Sequence, residues 1–290
     1  MKDPRLTVES LSVGKYKNNP VLNEDGYVVT QDTFAVIDGS APRTDIKFLG
    51  KSSARFATDI LKNVLEVTPS TVNGKALVSA MTETLNKEIE NARYKDFIQK
   101  NKEASPAALF IAARIVGDKL IVTALGDVSG RINGKVIHED SFKTEKLMTK
   151  KRIAAMQRAK AKNAHISDEE LLKIGKEAIA SDLVYQVRNY FNNSENNLGL
   201  GIINGEDIPE KFIKTYTYKL KDIKTLELFS DGYFVLPKNP EVQDWEEAFF
   251  AGEKQDPLHW EKYPAVKAAT ADKFYDDRTI VIVKHSIFFT

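Results

Sequence analysis

The chain reads as an α+β fold because its pattern changes period in blocks. Residues 27–37, 107–138 and 211–283 carry short apolar runs punctuated by turn residues, as antiparallel strands do. Residues 52–89 and 143–193 instead repeat apolar residues every three or four positions, as helices do. A third observation ties the blocks together: three apolar runs far apart in sequence each end in an aspartate with a glycine neighbour. Phe34 to Ile37 leads into Asp38-Gly39, Leu120 to Leu125 into Gly126-Asp127, and Leu226 to Phe229 through Ser230 into Asp231-Gly232. A site shared by these carboxylates draws on the whole chain, so residues 1–290 are expected to form one domain.

Taken in order, Tyr27-Val28-Val29 and Thr33 to Ile37 flank Thr30-Gln31-Asp32 as a predicted hairpin, and the β-branched Val36 and Ile37 favour strand over helix. A loop with Pro42, Arg43 and Gly50 follows. Ser52 or Ser53 can cap a helix whose Phe56, Ile60, Leu61 and Val64 share one face, and Leu77, Met81, Leu85 and Ile89 mark a second helix. Ala107 to Val116, a Gly117-Asp118 turn and Leu120 to Leu125 make the next hairpin, and Arg131 to Val136 another around Asn133-Gly134. Asp118 sits at a turn and carries no expected role, whereas Asp127 stands between the two hairpins.

Between Lys143 and Lys162 the bases Lys143, Lys146, Lys150, Lys151, Arg152, Arg158, Lys160 and Lys162 accompany a single acid, Glu145. Such a run reads as a solvated helical face or as a docking surface for a phosphorylated or acidic partner. Ser167 and Glu170 form a capping box that opens a long helix with Leu171, Ile174, Ala178, Leu183 and Val187 inward, ending at Asn192 to Gly201. Lys211 to Leu220, Thr225 to Ser230 and Thr279 to Val283 are the last expected strands. Residues 237–270, rich in proline, acids and aromatics including Trp245 and Trp260, read as an irregular packing segment.

Composition excludes several classes of function. A net charge of +1 gives no global field for nucleic acid or a membrane surface. The absence of cysteine rules out disulfides and thiolate metal sites and fits a reducing compartment. Met1-Lys2-Asp3-Pro4-Arg5 has no apolar segment behind it, and the longest apolar run, Ala107 to Ala113, is too short to cross a bilayer, so a soluble, cytoplasmic protein is expected.

Two acidic clusters, Asn23-Glu24-Asp25 and Asp276-Asp277, precede the first and last of these strands. Carboxylates converging in one place repel, and they stay ionised at neutral pH only when cations neutralise them. With oxygen donors and neither cysteine nor histidine beside them, the fitting ion is hard and divalent, magnesium or manganese. Two such ions can share a water, lower its pKa and direct it at phosphorus, which is the chemistry of phosphate ester hydrolysis.

Asn23-Glu24-Asp25, Val36-Ile37-Asp38-Gly39, Leu125-Gly126-Asp127, Phe229-Ser230-Asp231-Gly232 and Asp276-Asp277-Arg278-Thr279 stand in the order and approximate spacing of a known family. They resemble the motifs of the metal-dependent serine/threonine protein phosphatases of type 2C, in the manner of a divergent bacterial member. The resemblance implies a four-layer α-β-β-α sandwich, two mostly antiparallel sheets flanked by helices, with a metal centre at one end between the sheets. It implies that Asp38 bridges two metals, that Asp231 and Asp276 complete one ion's ligands, and that Glu24 and the Gly39 carbonyl serve the other. Asp127 would hold a third ion with Asp231, and Asp25 would lie just outside the ligands. Asp38 and Asp231 thus carry the catalytic role. The basic helical stretch at about 143–200 occupies the place of a variable flap beside the site.

Three departures from the family pattern bear on mechanism. The arginine that grips the substrate phosphate, four positions before the metal-binding glutamate, is here Pro20. Arg43 is the best-placed substitute as a phosphate-binding residue, with Lys15, Lys17, Lys51 and Arg188 as other candidates. The histidine that follows Asp-Gly in many members is here Ser40, too weak an acid to protonate a leaving group, and the acid often found four residues after the Asp231 position is Val235. The expected function is hydrolysis of phosphoserine or phosphothreonine esters in a protein substrate, a signalling dephosphorylation by metal-activated water. The alternatives are a catalytically weak module of the same fold that binds a phosphorylated or acidic partner through the basic helix, and a phosphatase for a small metabolite.

Overall fold

The computed structural model describes residues 6–41, 43–139 and 142–285, so Met1 to Arg5 and Pro42 lie outside the described residues. In chain order the first half forms β1 (Leu6–Val13), β2 (Gly26–Val29), β3 (Thr33–Gly39), α1 (Ser53–Val67), α2 (Gly74–Asn91), α3 (Lys95–Lys100), β4 (Ala108–Val116) and β5 (Lys119–Leu125). The second half forms β6 (Ser129–Ile132), β7 (Lys135–Glu139), α4 (Lys143–Lys162), α5 (Asp168–Asn189), β8 (Lys214–Lys219), β9 (Thr225–Phe229), α6 (Val242–Gln255) and β10 (Arg278–His285). The strands pair antiparallel in two five-stranded sheets, one in the order β1-β10-β9-β6-β7 and the other β2-β3-β4-β5-β8.

The alternation of side chains along each strand builds the layers. Phe34 and Val36 of β3 meet Leu109, Ile111, Leu226, Leu228, Val281 and Val283 in the core between the sheets. Ala35 and Ile37 point the other way, onto Ala57, Leu61, Leu77, Met81 and Leu85 of α1 and α2. On the far side of the other sheet, Phe229, Ile280 and Ile282 pack against Trp245 and Phe249 of α6. The result is the α-β-β-α sandwich. Ser52 is the residue that caps α1, its hydroxyl accepting from the Arg55 amide at 3.1 Å, and Ser167 caps α5 through the Glu170 amide at 3.2 Å.

Several elements differ from the sequence expectation. β1 has no strong apolar run and emerges only because β10 offers it an edge. Residues 237–270 are not wholly irregular: Val242, Trp245, Phe249 and Gly252 recur at helical spacing, and α6 buries Trp245 fully. The strand expected from Lys211 is confined to β8, with short 3-10 turns at Glu210–Phe212 and Leu220–Asp222 on either side. The buried face of α5 is Leu171, Gly175, Ile179 and Gln186 rather than Ile174, Ala178, Leu183 and Val187, because α4 packs closely where Gly175 leaves room beside Met156 and Arg152. No helix among the described residues is long and apolar enough to cross a membrane.

Candidate metal centre

The strand phase that sends Phe34 and Val36 between the sheets sends Asp38 there too, at the end of β3. From the other sheet, β9 runs out through Ser230 into Asp231, and Asp276-Asp277 enters β10. Glu24-Asp25 precedes β2 and Asp127 follows β5. The glycines beside these acids let main chains touch. A Cβ on Gly39 would stand 2.3 Å from the Glu24 carbonyl oxygen, and one on Gly232 would stand 2.0 Å from that of Asp277. The close neighbour of Gly39 is thus the Glu24 backbone.

Side-chain bonds hold the acidic segments in place. Thr58 Oγ1 donates to the Glu24 carbonyl at 2.7 Å, and Ser230 Oγ donates to Asp25 at 2.7 Å while accepting from the Thr279 amide at 3.0 Å. Asp25 and Asp277 are each only 3% exposed. Asp277 accepts from the backbone amides of Lys15 at 2.7 Å and Glu24 at 3.3 Å.

Two lysines stand among the carboxylates. Lys15 Nζ lies 3.0 Å from Asp276, 3.2 Å from Asp277 and 3.5 Å from Glu24. Lys267 Nζ bonds Asp231 at 3.1 Å and pairs with Asp276 as well. Sequence reasoning weighed Lys15 only as a phosphate clamp and missed Lys267, which lies in a segment with no motif.

A cleft of about 50 Å³ opens beside this cluster, lined by Asp38, Asp127, Asp231, Lys267, Arg43 and Glu145 among others. That is room for a few waters or ions. Glu145 is the one acid of the basic run, a contrast that could have flagged it. Ser40 also lines the cleft. Arg43 lines the cleft too, and burial lowers its pKa against the pull of Glu145, Asp276 and Glu24. The other clamp candidates are engaged: Lys17 donates to the Thr270 carbonyl at 2.7 Å, Lys51 pairs with Asp59 at 2.8 Å, and Arg188 with Glu103 at 2.9 Å. Nor is Arg152 part of a basic docking face. It is 2% exposed and donates to the carbonyls of Leu258, His259 and Ala265 at 2.9–3.1 Å, and nearby Lys151 pairs with Asp182 at 2.7 Å.

The electrostatics divide the site. Burial, then the charges of Asp231, Asp25 and Asp127, push Asp38 well up, and burial with Glu145 and Asp231 does the same to Asp127. Burial raises Asp25 as well, with Asp277 adding to it. Burial acts on Asp276 in the same sense, but the Lys267 and Lys15 ammonium groups outweigh it and hold Asp276 well below the usual carboxylate range. Burial pushes Glu145 up to about 7, against the pull of Lys267.

The residues fit a hard divalent ion in kind. All donors are oxygens, carboxylates outnumber the cations around them, and Asp127 Oδ1 is buried without a hydrogen-bond partner among the described residues. As they stand, no three or more His, Cys, Asp or Glu side chains among the described residues are grouped so as to hold a metal ion. The ammonium groups of Lys15 and Lys267 already hold Glu24, Asp231 and Asp276.

No protein-family model matches the sequence, and no curated protein sequence matches it. Solved structures do match in fold. The Mycobacterium tuberculosis serine/threonine phosphatase PstP/Ppp aligns over 97% of this chain and 98% of its own at 14% identity, with a TM-score of 0.52. The catalytic domain of the serine/threonine protein phosphatase PstP in complex with two manganese ions aligns over 96% and 97% at 13% identity, with a TM-score of 0.49. Stp1 from Staphylococcus aureus aligns over 98% and 97% at 13% identity, with a TM-score of 0.47. From end to end, therefore, the chain has the fold of a bacterial serine/threonine phosphatase, the fold that its type 2C-like motifs imply.

Proposed function

We propose that the protein is a metal-dependent phosphatase that hydrolyses phosphoserine or phosphothreonine esters of a protein substrate. The reading is supported by Asp38, Asp127 and Asp231, which come from three distant segments and line one small cleft, and by Asp276 and Glu24, which join that cluster through Lys267 and Lys15. Asp38, Asp231 and Asp276 would hold one magnesium or manganese ion, Glu24 and the Gly39 carbonyl a second, and Asp127 with Asp231 a third. A divalent ion so held supplies Lewis acidity, lowering the pKa of water and neutralising phosphate charge.

The chain's own side chains do the rest. Arg43 presents a guanidinium to the cleft and can grip the phosphate oxygens in place of the arginine that Pro20 lacks. Glu145 lines the cleft, and burial pushes its carboxyl up to about 7 in the metal-free site; it is the side chain that would pass a proton to the leaving serine or threonine oxygen, the task that Ser40 is too weak an acid to perform. The α4–α5 pair contributes Glu145 and Gln186 to the cleft wall and would act as the flap that selects substrate.

Purified protein supplied with Mn2+ is expected to hydrolyse an aryl phosphate and a phosphothreonine peptide. A chelator should abolish the activity, and Asp38→Asn should lower it by at least about 10²-fold. Turnover indifferent to both would overturn the reading.

A further inference from the structure

We propose that Lys15 and Lys267 are resident counter-ions of this centre, and that a divalent ion must displace their ammonium groups to load. The proposal rests on the metal-centre reading above. Its basis is geometric: two ammonium groups, from segments at opposite ends of the chain, take up the carboxylates assigned as ligands. Lys267 bonds Asp231 and Asp276, and Lys15 reaches Asp276, Asp277 and Glu24. Asp276 is held from both sides, one oxygen by each lysine. Of the assigned side-chain ligands, Asp38 and Asp127 have no ion pair to a lysine among the described residues.

The two lysines differ in how readily they can leave. The Lys15 side chain is 16% exposed, and its own backbone amide is tied to Asp277, so its ammonium has little room to move. The Lys267 side chain is 32% exposed, on a cleft wall, and can swing its ammonium into water on its four-carbon stem. Loading is therefore an exchange in which Lys267 gives up Asp231 and Asp276 first. Tethered cations of this kind keep buried carboxylates from repelling one another in the metal-free protein, and they weaken the apparent affinity for metal by the same exchange.

The test is Mn2+ binding by titration calorimetry, with thermal unfolding read in parallel, on the wild-type protein, Lys267→Met, Lys15→Met and Lys267→Arg. Both Met variants should bind Mn2+ at least about tenfold more tightly than wild type. They should also melt lower than wild type in chelator and gain more from added Mn2+. Lys267→Arg keeps the cation and should bind Mn2+ as weakly as wild type. If Lys267→Met is unfolded in chelator, refolding on addition of Mn2+ is the expected result, and failure to refold overturns the proposal. Equal Mn2+ affinity in wild type and both Met variants overturns it while leaving the metal centre standing. A complete lack of Mn2+ binding by folded wild type and folded variants alike overturns both.

Discussion

Lys15 Nζ lies 3.0 Å from Asp276 Oδ1, although 261 positions separate the two residues. The pairing of β1 with β10 explains the meeting. Its register ends with Ser12 opposite Thr279 and Val13 opposite Arg278, and just past that end the Lys15 amide donates to Asp277 while its carbonyl accepts from the Phe274 amide at 2.8 Å, which leaves its side chain beside Asp276. The Ser12 and Thr279 hydroxyls, 2.7 Å apart, pin the end of that ladder. The two termini of the fold thus close one side of the acidic cluster.

Asp277 holds two backbone amides from that junction as well as the Lys15 ammonium. Asp277→Ala leaves those two N–H groups without their acceptor and removes one of the three carboxylates that Lys15 reaches, and it should destabilise the protein by about 2–3 kcal/mol in denaturant unfolding. Asp118→Ala, in the β4–β5 turn, should stay within about 0.5 kcal/mol of wild type.

Gly232 admits the Asp277 carbonyl to a distance that no Cβ tolerates. Gly232→Ala must push residues 277–278 away, and Asp276 with them. The expected outcome is a loss on the order of 3 kcal/mol in stability and at least about tenfold in phosphatase activity. Both are read on the same preparation.

Arg152 ties α4 to the loop that carries Lys267. Arg152→Ala strands three carbonyls and should cost about 3 kcal/mol, with a broadened or early transition in thermal unfolding. Charge reversal of the neighbouring exposed Lys150 should change stability by no more than about 0.5 kcal/mol.

Glu145 supplies a pH signature in metal-free protein. Its pKa is pushed up from 4.5 to about 7, so the folded state binds more protons than the unfolded state between those values. The associated stability is fully present below pH 4.5 and is lost as pH rises through about 7. The groups that set the shift besides burial are Lys267, Asp231, Arg43 and Asp276. Glu145→Gln should remove this slope, so that in chelator the variant matches wild type near the acid end and exceeds it by about 1–3 kcal/mol above the transition. Denaturant unfolding across the range checks the sign. The same variant should lose about 10²-fold in turnover with metal present if Glu145 is the proton donor.

Local pattern was enough for most of the sandwich. Thr33 to Ile37 and the runs after Ala107 and Leu120 are too apolar and too β-branched to be anything but buried strands, and their turns are written in Gly117-Asp118 and Asn133-Gly134. β1 escaped notice because its sequence, LTVESLSV, has too few apolar residues to declare itself and acquires its place from β10. α6 escaped because flanking prolines and acids masked the spacing of Val242, Trp245 and Phe249.

The same division runs through the site. Asp38, Asp127 and Asp231 stood out because each follows a strand-like run with a glycine as neighbour, and Glu24 and Asp276 because acidic clusters precede two strands in the order of the type 2C motifs they resemble. The partners that neutralise them were not, since Lys15 and Lys267 carry no local signature and Glu145 is one acid within a basic helix. By itself the sequence determined which segments are strands and helices and which acids they deliver to their ends, because period and turn chemistry act over a few residues. Only the tertiary structure decided that Lys15, Lys267, Arg43 and Glu145 face those acids, because the contacts follow from sheet register and helix packing across the whole chain.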